Sequence, residues 1–303
     1  MAAAGIVLAA LTLWSLLLVV SRVLLVQFAL DPWLFTFIQM MVGGAVLIAV
    51  SGQPRGLWAL FGAPLTWIYG VLRVATAAFF TAALLYTSAA NAAFLAILSV
   101  PTSALIVWGA MGRRPALWEA PGHAAILAGL VALAASLENG FRNPALVLMI
   151  LSELCVVIST LIAERHPMNQ TEDRRQRAAL TGAMLVASAV VMLAVAAVAG
   201  QGGGGAFDPV LWGLAALVGA ALRGPAMYLA LLAIHRVKTT NYLAGMAALP
   251  LTALLFERAA AWMGLLAPAP LWTGATAFGG VMILGSLAVI AGRYRRTPGD
   301  GAD

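Results

Sequence analysis

The chain has 303 residues, 63% of them hydrophobic and only 9% charged, where a soluble domain is nearer half apolar and a quarter charged. So few charges cannot cover a surface facing water, which excludes a soluble fold and leaves a polytopic membrane protein. The net charge of +6 and pI of 10.2 do not point to nucleic acid either, because most cations are arginines at the ends of apolar segments, where they orient helices.

A membrane-crossing helix needs about 20 apolar residues. The opening stretch MAAAGIVLAALTLWSLLLVV lacks the basic start of a signal peptide and its apolar run is too long for one, so it reads as the first span, 4–26. Further spans follow at 33–51, 63–87, 91–111, 118–137, 144–163, 178–200, 209–234, 240–263 and 271–292, making ten. Most connections are short, among them SGQPRG, GRRPALWE, ENGFRNP and HRVKTT; Gly202–Gly205 read as a flexible external loop with no phosphate-binding pattern around them. The longest polar connection is ERHPMNQTEDRRQR, 164–177.

Basic residues assign the sides. Arg55, Arg113, Arg114, Arg165, Arg174, Arg175, Arg177, Arg236, Lys238, Arg293, Arg295 and Arg296 fall in alternate loops or the C-terminal tail, and the opposite loops hold Arg142. The positive-inside rule therefore predicts both termini in the cytoplasm of a cell whose inner (plasma) membrane carries the protein.

The chain also repeats itself. LLYTSAANAAFLAILSVPTSALIVW resembles LAIHRVKTTNYLAGMAALPLTALLF, Arg73 precedes Asn91 as Arg223 precedes Asn241, and SLLLVVS at 15–21 parallels ELCVVIS at 153–159. Five helices per copy is odd, so the second copy is inverted. The predicted fold is an all-α membrane protein of ten transmembrane helices in two inverted five-helix repeats. The first repeat covers 1–140; 141–163 opens the second, 164–177 is a cytoplasmic linker, and 178–303 holds the remainder and a basic tail. Inverted repeats are a transporter architecture, with the binding site near the midplane where the copies meet.

TSAANAAFLAILSVPTSALIVWGAMG followed by GHAAILAGLVALAAS, with a second copy carrying Pro250 and GATAFGGVMILGSLAVIAG, resembles the EamA-type core of the drug/metabolite transporter superfamily. The resemblance spans nearly the whole chain and implies a ten-helix, two-repeat solute carrier, often an exporter of metabolites or amino acids. Where that family ends its fourth helix with Gly-Glu, this chain has Gly112-Arg113, and Met263-Gly264 stands at the matching place in the second half. A role for the glutamate is therefore not carried over.

Six charges fall inside the spans: Arg22, Arg73, Glu153, Arg223, Glu257 and Arg258. Each costs about 2.5–3.5 kcal/mol at the bilayer centre on insertion scales, so such residues face a cavity or a partner. Arg22 and Arg258 lie near helix ends and can extend to the headgroups. Arg73 and Arg223 lie at the midplane, equivalent under the repeat, and are predicted on opposite walls of one cavity. There they either bind the carboxylate or phosphate of a substrate, for which guanidinium is a fork, or pair permanently with Glu153 or Glu257. Glu153 and Glu257 are the candidates for coupling transport to protons, Glu153 foremost. Trp14, Gln39, Asn91, Tyr228 and Asn241 are candidates for stacking and hydrogen bonding to substrate, with Tyr86 behind them. Gly224-Pro225 predicts a bend in the eighth helix that exposes carbonyls beside Arg223, and Pro101 and Pro250 predict matched kinks, either fixed or hinged.

Cys155, alone and within an apolar run, excludes an internal disulfide and reads as packing. His123, His166 and His235 have neither metal-ligand spacing nor a nucleophile motif, so no metal, cofactor or enzyme activity is predicted. The expected function is a secondary transporter or exchanger of a small metabolite by alternating access. The alternative is a flippase or exporter of an anionic lipid or lipid-linked head group.

Overall fold

The computed structural model of the chain describes residues 3–198, 208–266 and 274–294; Gly202–Gly205 and the tail arginines Arg295 and Arg296 lie outside them. No strand occurs among the described residues. The helices are α1 (Ala3–Gln27), α2 (Pro32–Ser51), α3 (Pro54–Gly62), α4 (Pro64–Ala83), α5 (Ala89–Leu95), α6 (Ser99–Met111), α7 (Ala120–Ser136), α8 (Pro144–Arg165), α9 (Pro167–Gln170), α10 (Arg174–Val198), α11 (Pro209–Val218), α12 (Gly224–Met246), α13 (Leu249–Trp262) and α14 (Gly274–Tyr294). Short tight turns join α5 to α6 and lead into α7, and a five-residue π turn, Gly219–Arg223, joins α11 to α12. Among the described residues, eight segments are long and apolar enough to cross a membrane. Large apolar side chains such as Leu8, Leu85, Leu117 and Trp262 stand on the outside, as a protein solvated by lipid allows. The molecule is a helical membrane protein.

Helix starts follow local chemistry. Asp31 accepts the backbone N–H groups of Trp33 and Leu34 ahead of Pro32, and Asp208 accepts that of Val210 ahead of Pro209. An aspartate cap followed by proline satisfies or removes the donors a helix start leaves open.

Several expectations shift. Residues 54–62, between the predicted spans 33–51 and 63–87, form α3. The 164–177 linker is shorter than predicted, since α8 runs to Arg165 and α10 starts at Arg174. The last of the eight segments, Pro209–Met246, is 38 residues long, but Lys238 breaks it with φ 65° and ψ 163°. A residue with a Cβ rarely adopts that conformation. Pro101 sits in the first turn of α6 behind a tight turn, and Pro250 is the second residue of α13 behind a turn at Ala247–Ala248. The two prolines thus stand at helix starts, where a missing N–H costs nothing, rather than in the middle of continuous helices.

The chain divides into two compact units. One holds Met1–Val74, Ser159–Arg236 and Leu251–Ala269; the other holds Ala75–Ile158, Val237–Pro250 and Pro270–Asp303. Helices α4 and α8 therefore change unit partway along. The first unit is built on α2 packed against α10, and its core gathers Leu17, Phe35, Ile38, Leu211 and Val218. The second is built on α7 packed against α14, around Phe94, Ile126, Leu133, Met149 and Met282.

Both principal pairings rest on glycine. A Cβ on Gly44 would lie 2.8 Å from the carbonyl oxygen of Gly182, and one on Gly182 would lie 2.7 Å from that of Gly44. Gly122 and Gly285 repeat the relation across α7 and α14, at 2.5 and 2.8 Å. Lipid supplies no hydrophobic drive between helices, so association depends on close backbone approach at small residues.

The packing yields a stability prediction. Gly44→Ala forces a methyl group against backbone that cannot rotate away, and overpacking of this kind costs about 1–3 kcal/mol. Gly109→Ala adds its methyl where nothing lies within 4 Å and removes the helix penalty of glycine. Melting of the purified variants in detergent should fall below the parent for Gly44→Ala and match or exceed it for Gly109→Ala. Equal melting of the two variants would contradict the backbone approach of α2 and α10.

Candidate functional site

Trp14, Arg73 and Arg223 come together in the first unit. Trp14 lies midway along α1 and packs on the core of that unit beside Leu222. Arg73 lies midway along α4, and Arg223 closes the π turn before Gly224-Pro225. The guanidinium carbon of Arg73 stands 5.8 Å from the centre of the Trp14 ring, and that of Arg223 stands 5.7 Å from it. The two arginines therefore share one indole. The sequence places them on opposite walls of a cavity between repeats, whereas the structure puts both in one unit, around Trp14.

The π turn explains how Arg223 reaches this position. Gly224 donates its N–H to the carbonyl of Gly219, one residue further back than in an α-helix, so the backbone widens ahead of Pro225 without breaking. The chain stays helical through the π turn and on through Pro225 as α12. Gly219 and Gly43 let the wide turn press against α2: a Cβ on Gly219 would lie 2.6 Å from the Gln39 carbonyl oxygen, and one on Gly43 would lie 2.7 Å from that of Gly219. Wide turns of this type occur often at functional sites.

Among the described residues no carboxylate pairs with Arg73 or Arg223. Glu257 pairs with Arg22, at 2.5 Å, so Arg22 is held by a partner instead of only extending to headgroups. The Trp14 Nε1 and Arg223 Nε atoms are buried and make no hydrogen bond within the protein. An unsatisfied buried donor costs about 1–3 kcal/mol.

Several other polar side chains of this unit have hydrogen-bond partners. Gln39, almost fully buried, donates its amide to Ser21 Oγ at 3.1 Å. Tyr69, one helical turn before Arg73 and missed by the sequence reading, donates its hydroxyl to Met227 Sδ at 3.8 Å. Its position four residues before Arg73 on a helix was the available signal. Tyr228 is half-buried on α12. Ser15, next to Trp14, shares a 2.6 Å hydrogen bond with Thr252, and Gln27 donates to the Leu265 carbonyl at 2.8 Å. With Arg22–Glu257 these bonds link α1 to the segment 252–265.

Glu153, Asn91, Asn241, Pro101 and Pro250 belong to the second unit. Glu153 is buried there on α8. Asn91 donates its amide to Thr87 at 3.1 Å at the start of α5, where Ser88 caps the helix.

The cytoplasm-assigned linker holds a separate polar cluster. Arg177 is only 1% exposed and is no solvated topology charge: its Nε donates to Asn169 Oδ1 at 3.0 Å and its Nη2 to the Thr171 carbonyl at 2.6 Å. Asn169 in turn donates to the carbonyls of Ala163 and Leu231. Glu172 bonds His235 at 3.3 Å and Arg236 at 2.5 Å; the His235 hydrogen bond foremost, then the Arg236 charge, holds its carboxyl below the usual value. Burial pushes the His166 imidazole down, which keeps its Nδ1 able to accept the Met168 N–H at 3.3 Å. No group of three potential metal ligands occurs among the described residues.

No sequence-family model matches the chain, and no curated protein matches it. A crystal structure of a protein matches 97% of this chain and 99% of its own, with a TM-score of 0.65 and 24% identity. The two share a fold over nearly their whole lengths.

The arginines make a prediction that separates binding from bracing. Removing one partner of a buried ion pair costs about 3–5 kcal/mol, but Arg73 and Arg223 have no such partner to strand. Arg73→Gln and Arg223→Gln should melt near the parent temperature, because the lost attraction to Trp14 is offset by relief of repulsion between cations. A deep fall in melting temperature in both variants would make the arginines structural.

Proposed function

We propose that the protein is a secondary carrier of the drug/metabolite transporter superfamily, EamA type, with ten spans in two inverted five-helix copies, both termini cytoplasmic in the inner membrane. Its substrate is a small metabolite whose anionic group lies between Arg73 and Arg223. The carrying observation is that two guanidiniums halfway along membrane helices share one indole and have no carboxylate partner among the described residues. Charges at that depth are retained where they serve a pathway or a ligand.

The architecture supports the same reading. Lys238 divides the 38-residue segment into two helices, and α13 and α14 follow. Counting the two sides of that break separately, with α13 completing the second, gives nine spans, and α14 makes ten. Each glycine seam joins helices at equivalent places in the two copies: α2 and α10 are second in theirs, α7 and α14 fifth. Gly44 stands as far after Ser15 as Gly182 stands after Glu153. A residue that touches its own repeat mate reciprocally is the mark of a two-fold axis.

Two measurements test this. Cysteine placed at residue 203 should react with a membrane-impermeant reagent from outside, and cysteine at residue 170 only from the cytoplasm, in a variant with Cys155→Ala. Reaction of both from one side would refute the topology.

Substrate binding tests the site. Arg73→Lys and Arg223→Lys should each weaken binding of the transported anion by about tenfold or more, because an ammonium keeps the charge but loses the two-pronged contact. Unchanged affinity in both variants, measured by equilibrium binding, would remove the arginines from the site.

A further inference from the structure

We infer that the site formed by Trp14, Arg73 and Arg223 takes a small dianion, a short dicarboxylate or a phosphate monoester, in preference to a zwitterionic amino acid. The inference rests on the reading of these residues as the substrate site and goes further by fixing the charge of the substrate.

The donor and acceptor inventory carries it. Both arginines lie within 6 Å of one indole centre, at 5.8 and 5.7 Å, which gathers two cations around one ring. Arginine and the tryptophan N–H are donors only. Two of those donors, Trp14 Nε1 and Arg223 Nε, are buried and unbonded within the protein. What the site lacks is therefore acceptors, in number.

A zwitterion brings one carboxylate and, a bond or two away, an ammonium that needs an acceptor of its own and is repelled by two fixed cations. Among the described residues neither arginine has a carboxylate beside it that could take the ammonium, and Glu257 is paired with Arg22. A monoanion leaves one guanidinium uncompensated at membrane depth. A dianion neutralises both cations and offers acceptors to all the open donors. The same chemistry is found in a soluble metabolite and in the head group of a lipid such as phosphatidic acid, and the test separates them.

The experiment is equilibrium binding and thermal stabilisation of the full chain in detergent with a matched set of probes. Succinate carries two carboxylates; succinamate replaces one with a neutral amide of the same size; glutamine presents a zwitterion. Glycerol 3-phosphate and a short-chain phosphatidic acid present the phosphate monoester in water-soluble and lipid form. Succinate or one of the phosphates should bind about tenfold to hundredfold more tightly than succinamate and glutamine, the factor expected for losing a set of charge-assisted hydrogen bonds. That preference should vanish in Arg73→Gln and in Arg223→Gln. Tighter binding of phosphatidic acid than of glycerol 3-phosphate and succinate supports the dianion and assigns it to lipid; the reverse order supports it and assigns it to a soluble metabolite. Glutamine or succinamate binding as tightly as succinate, in an arginine-dependent way, overturns the dianion and leaves the substrate site standing. If no probe binds, or binding ignores both arginine substitutions, the substrate-site reading falls and the inference with it.

Discussion

A polar group inside the hydrocarbon layer has no water to turn to, so it must find its partner within the protein or carry a penalty. This constraint arranges the rest of the molecule. Helices satisfy their own backbone. Capping aspartates serve their first turns, as Asp31 does for α2 and Asp208 for α11. Serine and threonine side chains turn back on carbonyls of the preceding turn, as in Ser15 to Leu11 and Ser188 to Met184. The charged residues divide under the same constraint. Arg22 has Glu257, and Arg177 has Asn169 and the Thr171 carbonyl. Arg73 and Arg223 stand against the ring of Trp14 and, among the described residues, have no carboxylate partner. Residues that are expensive to bury and are left without the usual remedy are the ones that call for a functional explanation.

The same absence of water shapes the packing. Between helices in lipid the gain comes from contact itself, and contact is greatest where side chains vanish. In the first unit Gly43 and Gly44 sit next to each other on α2 and serve two different neighbours. Gly44 admits α10 through Gly182, and Gly43 admits the π turn through Gly219. The second contact links packing to the site. The wide turn that sets the position of Arg223 can lie against α2 only because both surfaces lack a Cβ there. A glycine pair that looks like ordinary helix packing thus also fixes where a charge stands.

Helix positions were readable because lipid burial writes a continuous apolar run, and the depth of a charge within a run is a matter of counting. Arg73 and Arg223 were found that way. Their meeting at Trp14 was not readable, because it joins three helices remote in sequence and periodicity says nothing about which faces meet. α3 was missed since PRGLWALFG is short and opens with a proline and glycine that read as a loop. Pro101 and Pro250 were read as kinks within helices, but whether proline kinks a helix or starts one depends on the turn before it, and LAILSVP and AALP carry no polar signal to tell. Arg177 was counted with the topology charges; its acceptors are two carbonyls and an amide, which no residue pattern announces.

The choice of an indole over a carboxylate as companion for the two arginines has a physical logic. A carboxylate beside Arg73 or Arg223 would neutralise the charge well, but it would do so by filling the N–H fork that a substrate needs, and the substrate would have to displace it. The face of an aromatic ring attracts a cation through its quadrupole, by about 0.5–2 kcal/mol depending on desolvation, without accepting its hydrogen bonds. Trp14 therefore moderates the burial of both charges while leaving their donors open, and it adds its own Nε1–H to the set. In the carrier proposed above, such a ring would let the site stand empty without closing on an internal salt bridge.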